Sequence, residues 1–90
     1  MYLIIYDIAD DKLRTKFSKF LERYGIRIQF SVFEIKNSPR ILDNIRSEIL
    51  SKFQKLFEQS DSVMVINVPD SAIIDRFGYA KNEEGDLLIL

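Results

Sequence analysis

The sequence predicts an α+β fold, a ferredoxin-like sandwich with two helices on one face of an antiparallel sheet. Three observations carry that prediction. The apolar segments run strand, helix, strand or strands, helix, strand, with a last apolar run at the end. Each helical segment is apolar along one stripe only, so it has one face to bury. Ninety residues with 47% hydrophobic and 12% aromatic content make one small packed domain rather than a disordered chain.

Residues 1–8 are almost continuously apolar, which places the first strand centrally in the sheet. Asp10 or Asp11 then caps a helix, where the positive end of its dipole favours an acid. The apolar face of that helix is Leu13, Phe17, Phe20, Leu21 and Tyr24, and Gly25 is placed as the residue that ends it. The stretch "RIQFSVFEIK" at 27–36 is rich in β-branched and aromatic residues; it reads as one bent strand or as two strands broken near Ser31. Phe30 and Phe33 fall on opposite faces, one for the core and one for the outside. Ser38 and Pro39 give the second helix its cap and first residue, and Leu42, Ile45, Ile49, Phe53 and Leu56 its apolar face. After the polar turn "EQSD", "SVMVINV" reads as another buried strand, stopped by Pro69. A charged loop, "AKNEEGD", leads to the terminal "LLIL". Residues 1–78 thus form the core, and 79–90 a C-terminal extension that supplies a dimer or partner strand. The open sheet face and the last apolar run call for cover, which a homodimer with exchanged C-terminal strands provides.

Composition narrows the chemistry. Without cysteine or histidine there is no disulfide, no thiolate metal site and no ordinary general base. A metal site must use oxygen ligands, which favours Mg²⁺, Mn²⁺ or Ca²⁺. Three scattered glycines leave no phosphate-binding glycine loop. The N-terminal apolar run is too short to span a bilayer and lacks a basic leader region, so the expected location is cytoplasmic, with no membrane partner.

The net charge of −1 conceals segregation. Residues 1–11 carry three acids and no base, 12–57 carry eleven Lys/Arg against four Asp/Glu, and 58–90 carry two against seven. A basic middle between acidic ends can hold a polyanion on one face; it can equally solvate two amphipathic helices. Lys12, Lys16, Lys19 and Arg23 fall in one stripe beside the apolar face of the first helix, with no Asp or Glu four residues from any of them to form an ordinary helix pair. Such a stripe suits sequence-independent contact with a nucleic-acid backbone, and Arg27 extends the same surface. Arg14 points elsewhere. Asp7 ends the first strand, and three readings of it stand. It caps the turn with Asp10, it pairs with a nearby base, or it binds a divalent cation, alone or with its twin across a dimer axis.

The two blocks "YLIIYDIADDKLRTK" and "LERYGIRIQFSVFEI" resemble the small CRISPR-associated adaptation protein family, second in the Cas series and companion of the CRISPR integrase. The resemblance is close over residues 1–36 and continues in outline through "NVPDSAIIDRFGY". It implies a ferredoxin-like homodimer, metal-dependent endonuclease activity on RNA or DNA with Mg²⁺ or Mn²⁺, and a bridging role on double-stranded DNA beside the integrase subunit during spacer acquisition. By the same resemblance Asp7 falls on the metal-binding aspartate, and Arg14, Arg27, Ser31 and Phe33 on positions of the nuclease site or its frame. Lys16 stands where relatives often carry Arg, which keeps charge but loses the bidentate fork. The rival readings are a toxin-like endoribonuclease of the virulence-associated D type and a non-catalytic nucleic-acid-binding module.

Overall fold

The computed structural model describes residues 1–36 and 38–78. The elements are β1 (Tyr2–Asp7), α1 (Asp11–Glu22), β2 (Gly25–Gln29), β3 (Val32–Ile35), α2 (Pro39–Glu48) and β4 (Ser62–Asn67). A π-helical turn over Ile49–Phe53 and a 3-10 turn over Gln54–Leu56 extend α2. The strands lie in the order β2-β3-β1-β4 and all pairs are antiparallel, the ferredoxin-like arrangement. The segment 27–36 is therefore two strands joined at Phe30 and Ser31, with a bulge between Arg27 and Gln29.

Strand alternation sorts β1 into two sets. Tyr2, Ile4 and Tyr6 point under the helices and are buried; Leu3 and Ile5 are half-buried on the open face, where Asp7 is exposed. Register carries the same division across the sheet. Ile4 opposes Phe33 and Val65 on the inner face, and Ile5 opposes Val32 and Met64 on the outer face. Phe17 of α1 is fully buried at the centre of the core. Its ring lies 5.1 Å from that of Tyr6 and 5.0 Å from that of Phe53, both edge-on. Such pairs add about 1 kcal/mol each beyond area burial.

Asp10 caps α1 by accepting from the Leu13 amide at 2.9 Å. Ser38 caps α2 through the Ile41 amide at 3.3 Å, with Pro39 as first helical residue. The far end of α1 differs from expectation. The helix closes at Glu22 with Arg23 as its C-cap, and Gly25 opens β2 without a positive φ. Gly25 is needed for a different reason: a Cβ there would overlap the Glu34 carbonyl oxygen and press on Ile35 Cδ1. Leu56 is a second departure. The π turn advances the helical phase by one residue, so Phe53 is buried while Leu50 and Leu56 face out. β4, expected to be buried, is a half-buried edge strand paired within the described residues only to β1. Its ladder runs on through mutual hydrogen bonds between Met1 and Val68.

The open face of the sheet presents Ile26, Met64 and Ile66 to solvent beside half-buried Leu3, Ile5 and Val32. Beyond β4 the chain turns back, and Arg76 reaches Glu34 of β3 at 3.6 Å. The "LLIL" run, its charged loop and the proposed strand exchange lie outside the described residues. No helix among the described residues is long and apolar enough to cross a membrane.

Two outcomes test this packing. Gly25→Ala should cost about 2–3 kcal/mol in chemical denaturation, because the obstacle is backbone and cannot rotate away; unchanged stability would remove the close-approach explanation. Glu48 of α2 accepts from the Tyr24 hydroxyl at 2.9 Å and from Arg23 at 3.1 Å, with Lys52 at 3.5 Å. Burial opposes its ionisation, but these three partners together hold its carboxyl below the ordinary value of 4.5. Its stabilising effect is therefore complete above that value and fades as pH falls through the depressed one. Glu48→Gln should be less stable at neutral pH and should lose less stability than the parent on acidification, as read by melting temperature against pH.

Candidate nucleic-acid interface

The C-terminal end of β1 collects most of the chemistry that the sequence singled out. Four acids meet around the turn that follows it, and three have structural duties. Asp10 caps α1. Asp11 pairs with Arg14. Asp61, from the turn before β4, accepts the Ala9 amide at 3.0 Å and the Glu58 amide at 2.9 Å. Those two backbone donors pull its pKa below the ordinary carboxylate value, Glu58 more strongly than Ala9. Asp7 is exposed on the open side of the sheet, opposite Ser62, and its side chain has no hydrogen bond or ion pair among the described residues. Of the three readings of Asp7, capping and pairing are thus filled by its neighbours.

On the helix side of the same strand end lies an open cleft of about 200 Å³, lined by Tyr6, Arg14, Thr15, Ser18, Arg27 and Phe30. Arg14 is held there by its own turn: Nη1 donates to the Ile8 carbonyl at 3.0 Å and the Ala9 carbonyl at 3.3 Å, while Nη2 meets Asp11. Arg27 donates through Nη1 to the Phe30 carbonyl at 2.6 Å, and its guanidinium lies over the Phe33 ring at 5.1 Å. Each guanidinium has five N–H donors, so both keep some for a ligand. Phe33 is fully buried and frames Arg27 from below without reaching solvent. Ser31 fixes the hairpin by accepting the Tyr6 amide at 3.1 Å through its carbonyl. Tyr6 forms the floor of the cleft. Burial pushes its hydroxyl pKa up, and the Arg27 and Arg14 charges pull back against that.

The structure therefore brings Asp7, Arg14, Arg27, Ser31 and Phe33 to one end of the sheet but divides them between its faces. Tyr6 was not singled out from the sequence because its place in the strand alternation explains it fully as core. The available signal was a hydroxyl on the last inward residue of a central strand.

The basic stripe is partly as expected. Lys12, Lys16 and Lys19 are exposed and unpaired among the described residues. Arg23 is not a free cation, because Glu48 reaches it from α2 and the Phe20 and Tyr24 rings lie 5.6 and 5.5 Å from its guanidinium. The acid that the stripe lacks four residues away comes to Arg23 from a different helix. No group of three or more ligating side chains able to hold a metal ion occurs among the described residues. Asp7 offers a carboxylate with no side-chain partner among the described residues, an oxygen donor of the type that Mg²⁺ and Mn²⁺ accept alongside phosphate and water.

A family model described as CRISPR associated protein Cas2 matches residues 1–74. A CRISPR-associated endoribonuclease Cas2 of Rhodospirillum rubrum is 48% identical over 48 residues, covering 53% of this chain and 39% of that protein. One from Methanospirillum hungatei is 36% identical over 66 residues, covering 73% and 70%. The crystal structure of a hypothetical protein from Thermus thermophilus matches with a TM-score of 0.73 at 30% identity, covering 91% of this chain and 95% of that one. The chain spans about half the length of the first curated relatives it matches.

The turn behind Asp7 depends on Asp61. In Asp61→Ala the Ala9 and Glu58 amides should exchange with solvent roughly tenfold faster, while the Leu13 amide, capped by Asp10, keeps its protection. Unchanged exchange at Ala9 would show that the turn holds its shape by other means.

Proposed function

The chain belongs to the CRISPR-associated protein Cas2 family, and on that premise we propose that it serves as a homodimeric nucleic-acid-binding subunit of CRISPR adaptation. It holds double-stranded DNA by the phosphate backbone beside the integrase subunit. The observation that carries this reading is the row of unpaired, exposed Lys12, Lys16 and Lys19 on one side of α1. Lysines without acid partners have their charge free for phosphates, and such contacts are indifferent to base sequence. The apolar open face of the sheet supports dimerisation, since contiguous exposed apolar surface marks an interface. The acidic 58–90 segment is the part offered to the integrase, by addition of its terminal strand to a sheet edge. Activity in the cytoplasm follows from the same reading.

A second activity is favoured by a separate observation, the free carboxylate of Asp7 at the strand end that also carries the Arg14–Arg27 cleft. In this reading Asp7 holds Mg²⁺ or Mn²⁺, with its twin across the dimer axis as the second carboxylate, and the centre cleaves phosphodiester bonds conditionally. A hard cation bound there supplies positive charge to a phosphate oxygen. Arg14 and Arg27 orient and neutralise the phosphate, and Phe33 and Ser31 hold Arg27 and the hairpin in place. The names of the Rhodospirillum and Methanospirillum relatives support ribonuclease chemistry.

The two roles separate by mutation. Replacing Lys12, Lys16 and Lys19 together by Gln should weaken duplex binding and reduce the slope of log affinity against log salt by about 3, near 0.9 for each phosphate no longer neutralised. An unchanged slope would move the binding surface elsewhere. Asp7→Asn should keep duplex affinity but lower Mg²⁺- or Mn²⁺-dependent cleavage at least about a hundredfold. Cleavage that persists in the variant would assign the chemistry to other groups.

A further inference from the structure

A separate groove of about 310 Å³ opens between the first turns of α1 and the chain that leaves the 3-10 turn. Leu13 and Leu56 give it an apolar lining, Lys12 and Lys16 enter from α1, and Glu58 enters from the turn before β4. Leu56 is 51% exposed there, the leucine that the π turn carries out of the core. Asp10 and Asp61 also border the groove, but their carboxylates already accept backbone amides. The charges left unengaged among the described residues are therefore the two lysines and Glu58. Such a groove fits a segment that joins acids to aliphatic side chains.

We propose that the groove receives residues 83–90 of its own chain, "EEGDLLIL". Glu83, Glu84 and Asp86 stand directly before Leu87, Leu88, Ile89 and Leu90. The acids suit Lys12 and Lys16, and the aliphatic run, which needs cover from water, suits Leu13 and Leu56. The reach is sufficient. Arg76 meets Glu34, which lies opposite Leu3, and Asp7 ends that strand about 14 Å further on. The nine residues from Gly78 to Leu87 can span about 30 Å, enough to round the strand end. Because the segment is tethered, a modest contact is enough to hold it. Docked there, it competes with nucleic acid for two of the three lysines of the α1 row. A partner strand that draws the segment away frees those lysines, and by reciprocity a bound duplex releases the segment to the partner. This coupling rests on the reading of the lysine row as the phosphate surface; the docking does not.

The test uses the absence of cysteine from the chain. Asn82→Cys carries a single nitroxide label, and its broadening of amide resonances is mapped on the isotope-enriched full chain. Broadening should be strongest at Leu13, Lys16 and Leu56, should vanish from them in Leu56→Gln, and should be relieved by a saturating blunt duplex. A mixture of spin-labelled unenriched chains with unlabelled enriched chains should show none at the groove. Leu56→Gln leaves the net charge unchanged, yet it should raise duplex affinity about fivefold by releasing the segment. That gain should be absent when Glu83→Gln, Glu84→Gln and Asp86→Asn are already present. Broadening that is absent from the groove, survives Leu56→Gln or appears in the mixed sample overturns the docking. Broadening at the groove that a saturating duplex leaves in place keeps the docking and overturns the competition, and with it the lysine row as the phosphate surface.

Discussion

Hydrogen bonding of β1 along both of its edges is the constraint on which the candidate site depends. With β3 on one side and β4 on the other, the strand cannot shift register without moving every side chain to the opposite face. The alternation then assigns the last two residues of the strand to different tasks. Tyr6 turns inward, packs against Phe17 and Phe33, and becomes the floor of a basic cleft. Asp7 turns outward onto the face where the sheet is uncovered. The turn beyond is secured at three points by Asp10, Asp61 and the Arg14 guanidinium. A free carboxylate and a pair of arginines are thereby held at one strand end without touching.

The basic residues divide by what holds them. Arg23 is absorbed into a latch with Glu48, Tyr24 and Phe20 that ties α1 to α2, so its charge works mainly for the fold. Arg14 and Arg27 are half-committed: each uses part of its fork on backbone carbonyls and keeps the rest. Lys12, Lys16 and Lys19 are uncommitted among the described residues. Rigid donors near a fixed cleft favour placement of a particular phosphate, whereas mobile ammonium groups favour diffuse, salt-sensitive attraction. One small domain can thus carry a positioning site and a general backbone surface without using the same residues twice.

Much of this was legible in the sequence. Periodicity located β1 and both helices, residue types marked their N-terminal caps, and the resemblance over residues 1–36 placed the family. What escaped depended on contacts between distant segments. The reason for Gly25 lies in Glu34 and Ile35, which a local reading of helix ends cannot see. The fate of Leu56 depends on a π turn, which the 3.6-residue period does not anticipate. Arg23 looked free because its acid partner is 25 residues away. Tyr6 passed as an ordinary core aromatic because its role comes from the cleft above it. For Asp7 the sequence left capping, pairing and cation binding open, and the choice narrowed once Asp10 and Asp11 proved to be held within α1 and Asp61 by the distant Ala9 amide.

The proposed cation site rests on Asp7, whose side chain has no partner among the described residues while Asp10, Asp11 and Asp61 have theirs. Titrating the isotope-labelled chain with Mn²⁺ and mapping the paramagnetic broadening of its amide resonances tests this directly. The account predicts broadening centred on Asp7 and on Ser62, its neighbour across the ladder, with Asp10 and Asp11 less affected. Broadening centred on Asp10 and Asp11, or on the Glu58–Asp61 turn, would contradict it.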